Sequence, residues 1–382
     1  MHDLSSARIV FVDNYPHASV GGGERHLLLV ADGCRAAGAD TQVMCTPGSG
    51  LATLAAERGH GVVPVDMRAA SLLTPRRMRR ALANLKPTIV HLHGFYVTAV
   101  GAKSAAASGA RAVLATVHAM PSAPLALHPG VCGRLEVALR SMFTRRAARS
   151  LDRIVCVVDA VRVELAAMGV PAGKLVTIHN GIPAPGAAAA VADAMRSPGA
   201  SGPPLVGSVG RLEAPKGYEY FVDAAARVAA RVPAARFRLV GDGSLRSSLE
   251  RRAAEAGLGG RISFLGWSDD PLSEIAAMDV YVVSSVTDTT NLTVLEAMAL
   301  GRPVVVTRVG GLPEVVADGL TGYVVPARDA DALAGRIVEL LEDAEARRRM
   351  GEAGRARFAE RFTAARMVEE HLALYASLPG GE

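Results

Sequence analysis

Short runs of β-branched and aliphatic residues alternate with longer segments of helical period along almost the whole chain. ARIVFVD precedes ERHLLLVADGCRAAG, TQVMC precedes GLATLAAERGH, and GVVPVD precedes PRRMRRALANL. TIVHLHG, RAVLATVHA and RIVCVVDA each lead into a helical stretch, and KLVTIHNGI closes the series. Strands this short and this uniformly apolar are buried on both faces, as in a parallel sheet covered by crossover helices. PAPGAAAAVADAMRSPGASGPP interrupts the alternation with Pro, Gly, Ala and Ser and reads as an interdomain connection. The alternation then restarts with PLVGSVGRL, RFRLVGDG, RISFLG, VYVVSS, PVVVT and TGYVVP, and the ending is helical from about Asp329 to Tyr375.

The pattern therefore predicts an α/β protein of two doubly wound domains, and 382 residues suit two cores better than one. The expected boundaries are 1–183, a linker over 184–204, a second domain over 205–360, and a final helix over 361–382 expected to cross back to the first domain. In open α/β sheets ligands sit at the carboxyl ends of the strands, so residues just past a strand carry the most weight. A cleft with both such edges facing it is the expected ligand site.

Composition narrows the class. No apolar stretch approaches the ~20 residues that span a bilayer, and MHDLSSARIVFVDNY reads as a first strand and not as a signal peptide. The cysteines Cys34, Cys45, Cys132 and Cys156 lack metal-type spacing and read as reduced thiols of a cytoplasmic protein. Residues 1–183 carry 20 Lys and Arg against 11 Asp and Glu, while residues 184–382 carry 22 against 26. A basic first half could face an anionic membrane or acceptor through GRLEVALRSMFTRRAARS and TPRRMRRAL. Solvated helix faces are the simpler reading, because no row of exposed large apolar residues is evident. Nucleic-acid binding is not expected, since the positive charge lacks interleaved aromatics and any recognised motif.

The candidate chemistry lies at strand ends. HASVGGGERHLLL places Gly21, Gly22 and Gly23 at a helix start, where unpaired N–H groups favour phosphate; a plain glycine turn explains it equally well. It is not G-x-G-x-x-G, so a dehydrogenase loses ground. VGRLEAPKGYEYF holds Arg211 and Lys216 across a loop closed by Gly217, two cations suited to a diphosphate. DTTNLTVLE sets Asp288 in a loop and Glu296 about two turns into a helix capped by Thr290 or Asn291. A half-buried carboxylate at Glu296 needs donors, which ribose hydroxyls would supply. His91 and His93 alternate on one strand, but no Cys, Asp or Glu cluster joins them, so a metal site is not expected. Trp267 follows FLG near the expected base-binding edge; packing is the simpler expectation, with stacking on the base the alternative.

Taken together and in order, GGGER, TVHA, HNGI, VGRL-x-x-x-KG, GDG, RISFLG, the spaced acids with EAMALGRPVV, and GGLPEVV resemble the retaining, family 4 (group 1) glycosyltransferases of the GT-B fold. The resemblance runs over nearly the whole chain and is densest in the second half. It implies two Rossmann-like domains facing across a cleft, and transfer of a sugar from a nucleoside diphosphate to an acceptor hydroxyl with retained configuration and no metal or other cofactor. It implies that Gly22 and Gly23 lie against the donor phosphates, Arg211 and Lys216 hold the diphosphate, and Glu296 binds the ribose. Asp288 touches the donor sugar, His118 of TVHA sits near the transferring sugar, and Thr290, Asn291 and Leu292 complete the donor contacts.

Three positions depart from the family. Asp288 stands where glutamate is usual, Thr290-Asn291 replaces Phe-Gly, and Ser284-Ser285 replaces Pro-Ser. These departures keep open a weakened or silent nucleotide-sugar-binding protein, and a nucleotide-sugar epimerase. Uridine is favoured over guanosine by family frequency alone. The acceptor is left open between a small molecule, a lipid and a glycan, and location between the cytoplasm and the inner face of the membrane.

Overall fold

The computed structural model describes residues 4–17, 20–67, 73–186 and 202–378. Most of the expected linker over 184–204 lies outside the described residues. The chain forms two compact units, Met1–Asn180 with Ala364–Glu382, and Gly181–Thr363.

In the first unit seven parallel strands form one sheet: β1 (Arg8–Val12), β2 (Asp40–Cys45), β3 (Gly61–Pro64), β4 (Ile89–His93), β5 (Ala112–Val117), β6 (Arg153–Cys156) and β7 (Leu175–Thr177). Their order is β3-β2-β1-β4-β5-β6-β7. Of the central strands, β1 is buried from Ile9 to Val12 and β4 along its whole length, the latter with His91 and His93 among its apolar residues. One core layer holds Ile9, Phe11, Leu27 and Val43 on one side of the sheet, together with Met367 and Tyr375 of the final helix Ala364–Ala376. The other side buries Val10, Val12, Val90 and Leu92. The final helix belongs to this unit and begins three residues later than the sequence boundary, because Thr363 bridges Ile182 in the second unit.

The second unit holds six parallel strands: β8 (Leu205–Val209), β9 (Arg236–Val240), β10 (Ile262–Gly266), β11 (Val280–Val283), β12 (Val304–Thr307) and β13 (Gly322–Val325). Their order is β10-β9-β8-β11-β12-β13. Both sheets reverse direction once, at β1/β4 and at β8/β11. Loops leaving two such strands turn to opposite sides and open a crevice, the natural ligand position. The motif residues sort onto these four strands: Gly21–Gly23 follow β1, His93 ends β4, Arg211 and Lys216 follow β8, and Asp288 follows β11.

Candidate active site

In the second unit, β8 ends at Val209 and Arg211 follows, exposed and, among the described residues, with no carboxylate bonded to its side chain. The loop continues through a single 3-10 turn at Ala214–Lys216 into Gly217. Gly217 has φ 59°, and a Cβ there would stand 2.4 Å from the Ser284 carbonyl oxygen, so only glycine fits. It lets the loop press against the end of β11, where Val286 N–H donates to the Pro215 carbonyl at 2.9 Å and Ser284 Oγ donates to the Lys216 carbonyl at 3.0 Å.

That contact brings the spaced motifs together. Lys216 Nζ lies 2.7 Å from Asp288 Oδ2, which also accepts from Ser285 Oγ and Asn291 Nδ2, each at 2.9 Å. Asp288 Oδ1 accepts from Thr289 N–H at 3.0 Å. Burial pushes the Asp288 carboxyl up, but the Lys216 ammonium and these hydrogen bonds outweigh it and hold it below the ordinary carboxylate value. The shorter side chain thus does not hang short in an open loop; it is drawn to the lysine.

The Thr290-Asn291 departure has a backbone explanation. Asn291 sits at φ 51°, the left-handed region that the family's glycine adopts freely and that Asn tolerates best among the other residues. It occupies the N-cap position of the helix Leu292–Ala299 but does not cap it with its side chain. Its Nδ2 goes to Asp288 and its Oδ1 accepts from Thr293 Oγ1 at 2.6 Å. The expected side-chain cap is therefore corrected: the Oδ1 that would accept from a helix N–H accepts from the Thr293 hydroxyl instead. Thr290 is buried and Leu292 opens the helix. Glu296 is the fifth helical residue, a little over one turn in and not two, and it is half-buried with its neighbours Leu295 and Ala297 in the core.

Trp267 does not pack. It is 67% exposed, with Nε1 donating to Asp269, and follows the edge strand β10, two strands from β8.

In the first unit Gly22 and Gly23 are the first two residues of the helix Gly22–Ala36, so their N–H groups have no partner within the helix. Gly21 N–H donates to Glu24 Oε2 at 2.7 Å, half of a capping box. A Cβ on Gly23 would meet the His118 ring at 3.6 Å, so the glycine turn and the end of β5 are neighbours. Beyond β1, Asp13 is buried, and burial pushes its carboxyl up to about 7, opposed by the Tyr15 N–H bond and helped by Glu24.

Behind His118 lies a feature that spacing alone did not reveal. His26, His91, His93, His118 and His371 form one cluster, with neighbouring ring centroids 4.4–6.1 Å apart. His91 is saturated by Tyr375 Oη at 2.6 Å and Thr116 Oγ1 at 2.7 Å. Among the described residues no group of three metal-binding side chains has metal-holding geometry. His26 Nδ1 meets Asn180 Oδ1, and His371 Nδ1 meets the Met367 carbonyl, both at 2.8 Å. Both partners only accept, so both rings carry their proton on Nδ1 and leave a buried lone pair on Nε2. His93 has the same buried, unpartnered Nε2, and its Nδ1 faces His118 Nε2 at 3.1 Å. Burying a bare lone pair costs less than burying an unmatched N–H, so His93 donates and His118 accepts. His118 then carries its proton on Nδ1. Burial, with His371 adding, lowers His118 to about 4, so it is a neutral donor and not a cation at neutral pH.

The sheets, with their single reversals and strand-end loops, are of the GT-B type. HepE from Anabaena, solved in complex with UDP, superposes with a TM-score of 0.80 at 20% identity over 97% of this chain and 100% of that one. Two family models match, "Glycosyltransferase Family 4" over residues 20–184 and "Glycosyl transferases group 1" over residues 203–343, and the chain belongs to this glycosyltransferase family. The lipopolysaccharide core biosynthesis glycosyltransferase LpsE of Rhizobium meliloti is 35% identical over 46% of this chain and 51% of its own, so this chain spans about half the length of that curated relative. The GDP-mannose-dependent phosphatidylinositol monomannoside mannosyltransferase of Mycolicibacterium smegmatis is 29% identical over 79% of this chain and 80% of its own.

Proposed function

We propose that the protein is a hexosyltransferase that moves a sugar from a nucleoside diphosphate to an acceptor hydroxyl, with retention at the anomeric carbon and without a metal. The carrying observation is the grouping at the β8/β11 crevice: exposed Arg211, Lys216 held on Asp288, and Glu296 on the adjoining helix. In this reading Arg211 and Lys216 meet the diphosphate and Glu296 accepts from the ribose hydroxyls. Thr290, Asn291 and Leu292 line the sugar's side. Gly22, Gly23 and His118 are the first unit's candidates for the phosphates and the reacting sugar.

Charge dictates the mechanism. The bond from the anomeric carbon to the phosphate oxygen breaks, the acceptor oxygen bonds to the same face, and its proton passes to the departing phosphate oxygen. Preplaced cations stabilise the charge that develops on that oxygen. In this reading His118, neutral at pH 7, donates a hydrogen bond to the reacting sugar and takes no proton. Lys216 must exchange Asp288 for phosphate as donor enters, which frees Asp288 for a sugar hydroxyl. Uridine is the favoured base, supported by the UDP held by HepE; the guanosine donor of the mycobacterial relative is the competitor.

Mass spectrometry of the protein incubated with UDP- and GDP-sugars tests the reading. Release of free hexose and nucleoside diphosphate is expected from one donor. A changed sugar still bound to its nucleotide would instead mark an epimerase. One observation favours a second reading, a silent binder: both Asp288 oxygens are already engaged. Turnover that appears only in Asp288→Glu would establish it.

A further inference from the structure

The helix Val131–Ala148 is built inside out. Its buried residues are small, Gly133, Ala147 and Ala148, and they lie toward the helices Phe95–Ala106 and Ala123–Leu127. Its large apolar residues face solvent: Val131, Leu135, Leu139, Met142 and Phe143 are each 42–82% exposed. Their spacing places all five on one face of the helix. This row corrects the expectation that the basic half exposes none. The helical residues taken for a solvated face are apolar, and the sequence hides this because small residues fill the buried side.

Cations border the row. Arg134, Arg145, Arg146 and Arg149 are exposed, and among the described residues no carboxylate pairs with them. The helix's one acid, Glu136, is already bonded to Arg140, whose guanidinium lies 5.1 Å over the exposed Phe95 ring. At the carboxyl end of the row, Lys103, Arg146, Arg149 and Ser150 line a hollow of about 240 Å³. An apolar strip flanked by unpaired guanidinium groups matches one kind of surface: acyl chains beneath anionic phosphates.

We propose that this face docks the first unit onto an anionic lipid bilayer, with the apolar row at the acyl boundary and the Lys103/Arg146/Arg149 hollow receiving a lipid phosphate. The charge of the surrounding chain agrees, since residues 1–183 carry 20 basic against 11 acidic side chains. The inference does not depend on the transferase reading, and its test uses no sugar.

The test is co-sedimentation with phosphatidylcholine vesicles made with and without phosphatidylglycerol. The full chain is expected on the anionic vesicles and not on the neutral ones. Leu135→Glu with Leu139→Glu is expected to lower the partition coefficient about tenfold or more. Arg146→Ala with Arg149→Ala should lower it about fivefold per arginine. Both pairs are solvent-exposed, so thermal midpoints should stay at the parent's value. Equal partition onto neutral vesicles, or unchanged binding by either variant, overturns the proposal. So does a parent that binds neither vesicle and self-associates in sedimentation velocity until the leucines are changed, which would assign the row to a second copy of this chain.

Discussion

Replacing His371 by leucine should flatten the pH dependence of the first unit's stability, and the size of the change follows from burial. His371 is fully buried on the final helix, and desolvation lowers it from 6.5 to about 4 despite the bond to the Met367 carbonyl. An unfolded histidine takes up a proton between pH 7 and pH 5, while this one stays neutral in the fold. The unfolded state then binds more protons, so stability is present above pH 6.5 and drains away as pH falls toward 4. By pH 5 the loss from this group is about 2 kcal/mol, and below its folded value about 3 kcal/mol. His26, His91, His93 and His118 are lowered in the same direction, chiefly by burial. Tyr375, bonded to His91, and Cys34, near Tyr375, are raised by burial and stay neutral throughout. Asp13 works the other way: raised from 3.8 to about 7, it stabilises the fold by about 2 kcal/mol between pH 7 and pH 5 and offsets roughly one histidine. It is common to both proteins and drops out of their difference. The assay is hydrogen exchange of peptides covering Ile89–His93, corrected for intrinsic exchange at each pH. His371→Leu is expected to be destabilised at pH 7, through the lost Met367 bond, yet to lose about 2 kcal/mol less than the parent on going to pH 5. Equal losses in the two proteins would refute the reasoning, because the buried ring would then not be holding its neutral form.

Three further outcomes are expected. Gly217→Ala should cost about 2 kcal/mol or more in the second unit, measured by denaturant unfolding, because the new methyl meets the Ser284 carbonyl and φ is left-handed. His93→Phe removes the donor to His118 Nε2, so nitrogen NMR of labelled histidine should show His118 losing its pure Nδ1–H tautomer, which a merely packing role for His93 would leave intact. Lys216→Ala and Glu296→Ala should each depress transfer by about 100-fold or more with circular dichroism unchanged, and wild-type rates from either would undo the site assignment.

Much of this was legible in the chain. β4, β8 and β11 could be read because short runs dominated by β-branched and aliphatic residues suit strands buried on both faces, and the ends of β8 and β11 then drew attention to Arg211, Lys216 and Asp288 as candidates. What could not be read are the contacts between them. The Lys216–Asp288 bond spans 72 residues and depends on one glycine that lets two loops touch. Asn291 stands at the N-cap position as its residue type suggests, but at a positive φ its Oδ1 accepts from the Thr293 hydroxyl and caps no helix N–H. His91 and His93 were visible as a pair, yet their partners His26, His118, His371 and Tyr375 lie on other elements, and Tyr375 is 284 residues from His91. Asp13 at the end of β1 carried a signal that was available, an acid closing a buried strand. The outward row on the Val131–Ala148 helix was masked because apolar periodicity says which residues share a face, not which face is covered.

The central claim is that the β8/β11 crevice grips a nucleoside diphosphate. Crystals soaked with UDP or GDP test it directly. Diphosphate density against Arg211 and Lys216, with Lys216 turned from Asp288 and ribose hydroxyls on Glu296, is the predicted result. Nucleotide density elsewhere in the molecule, with the Lys216–Asp288 bond intact at 2.7 Å, would contradict it.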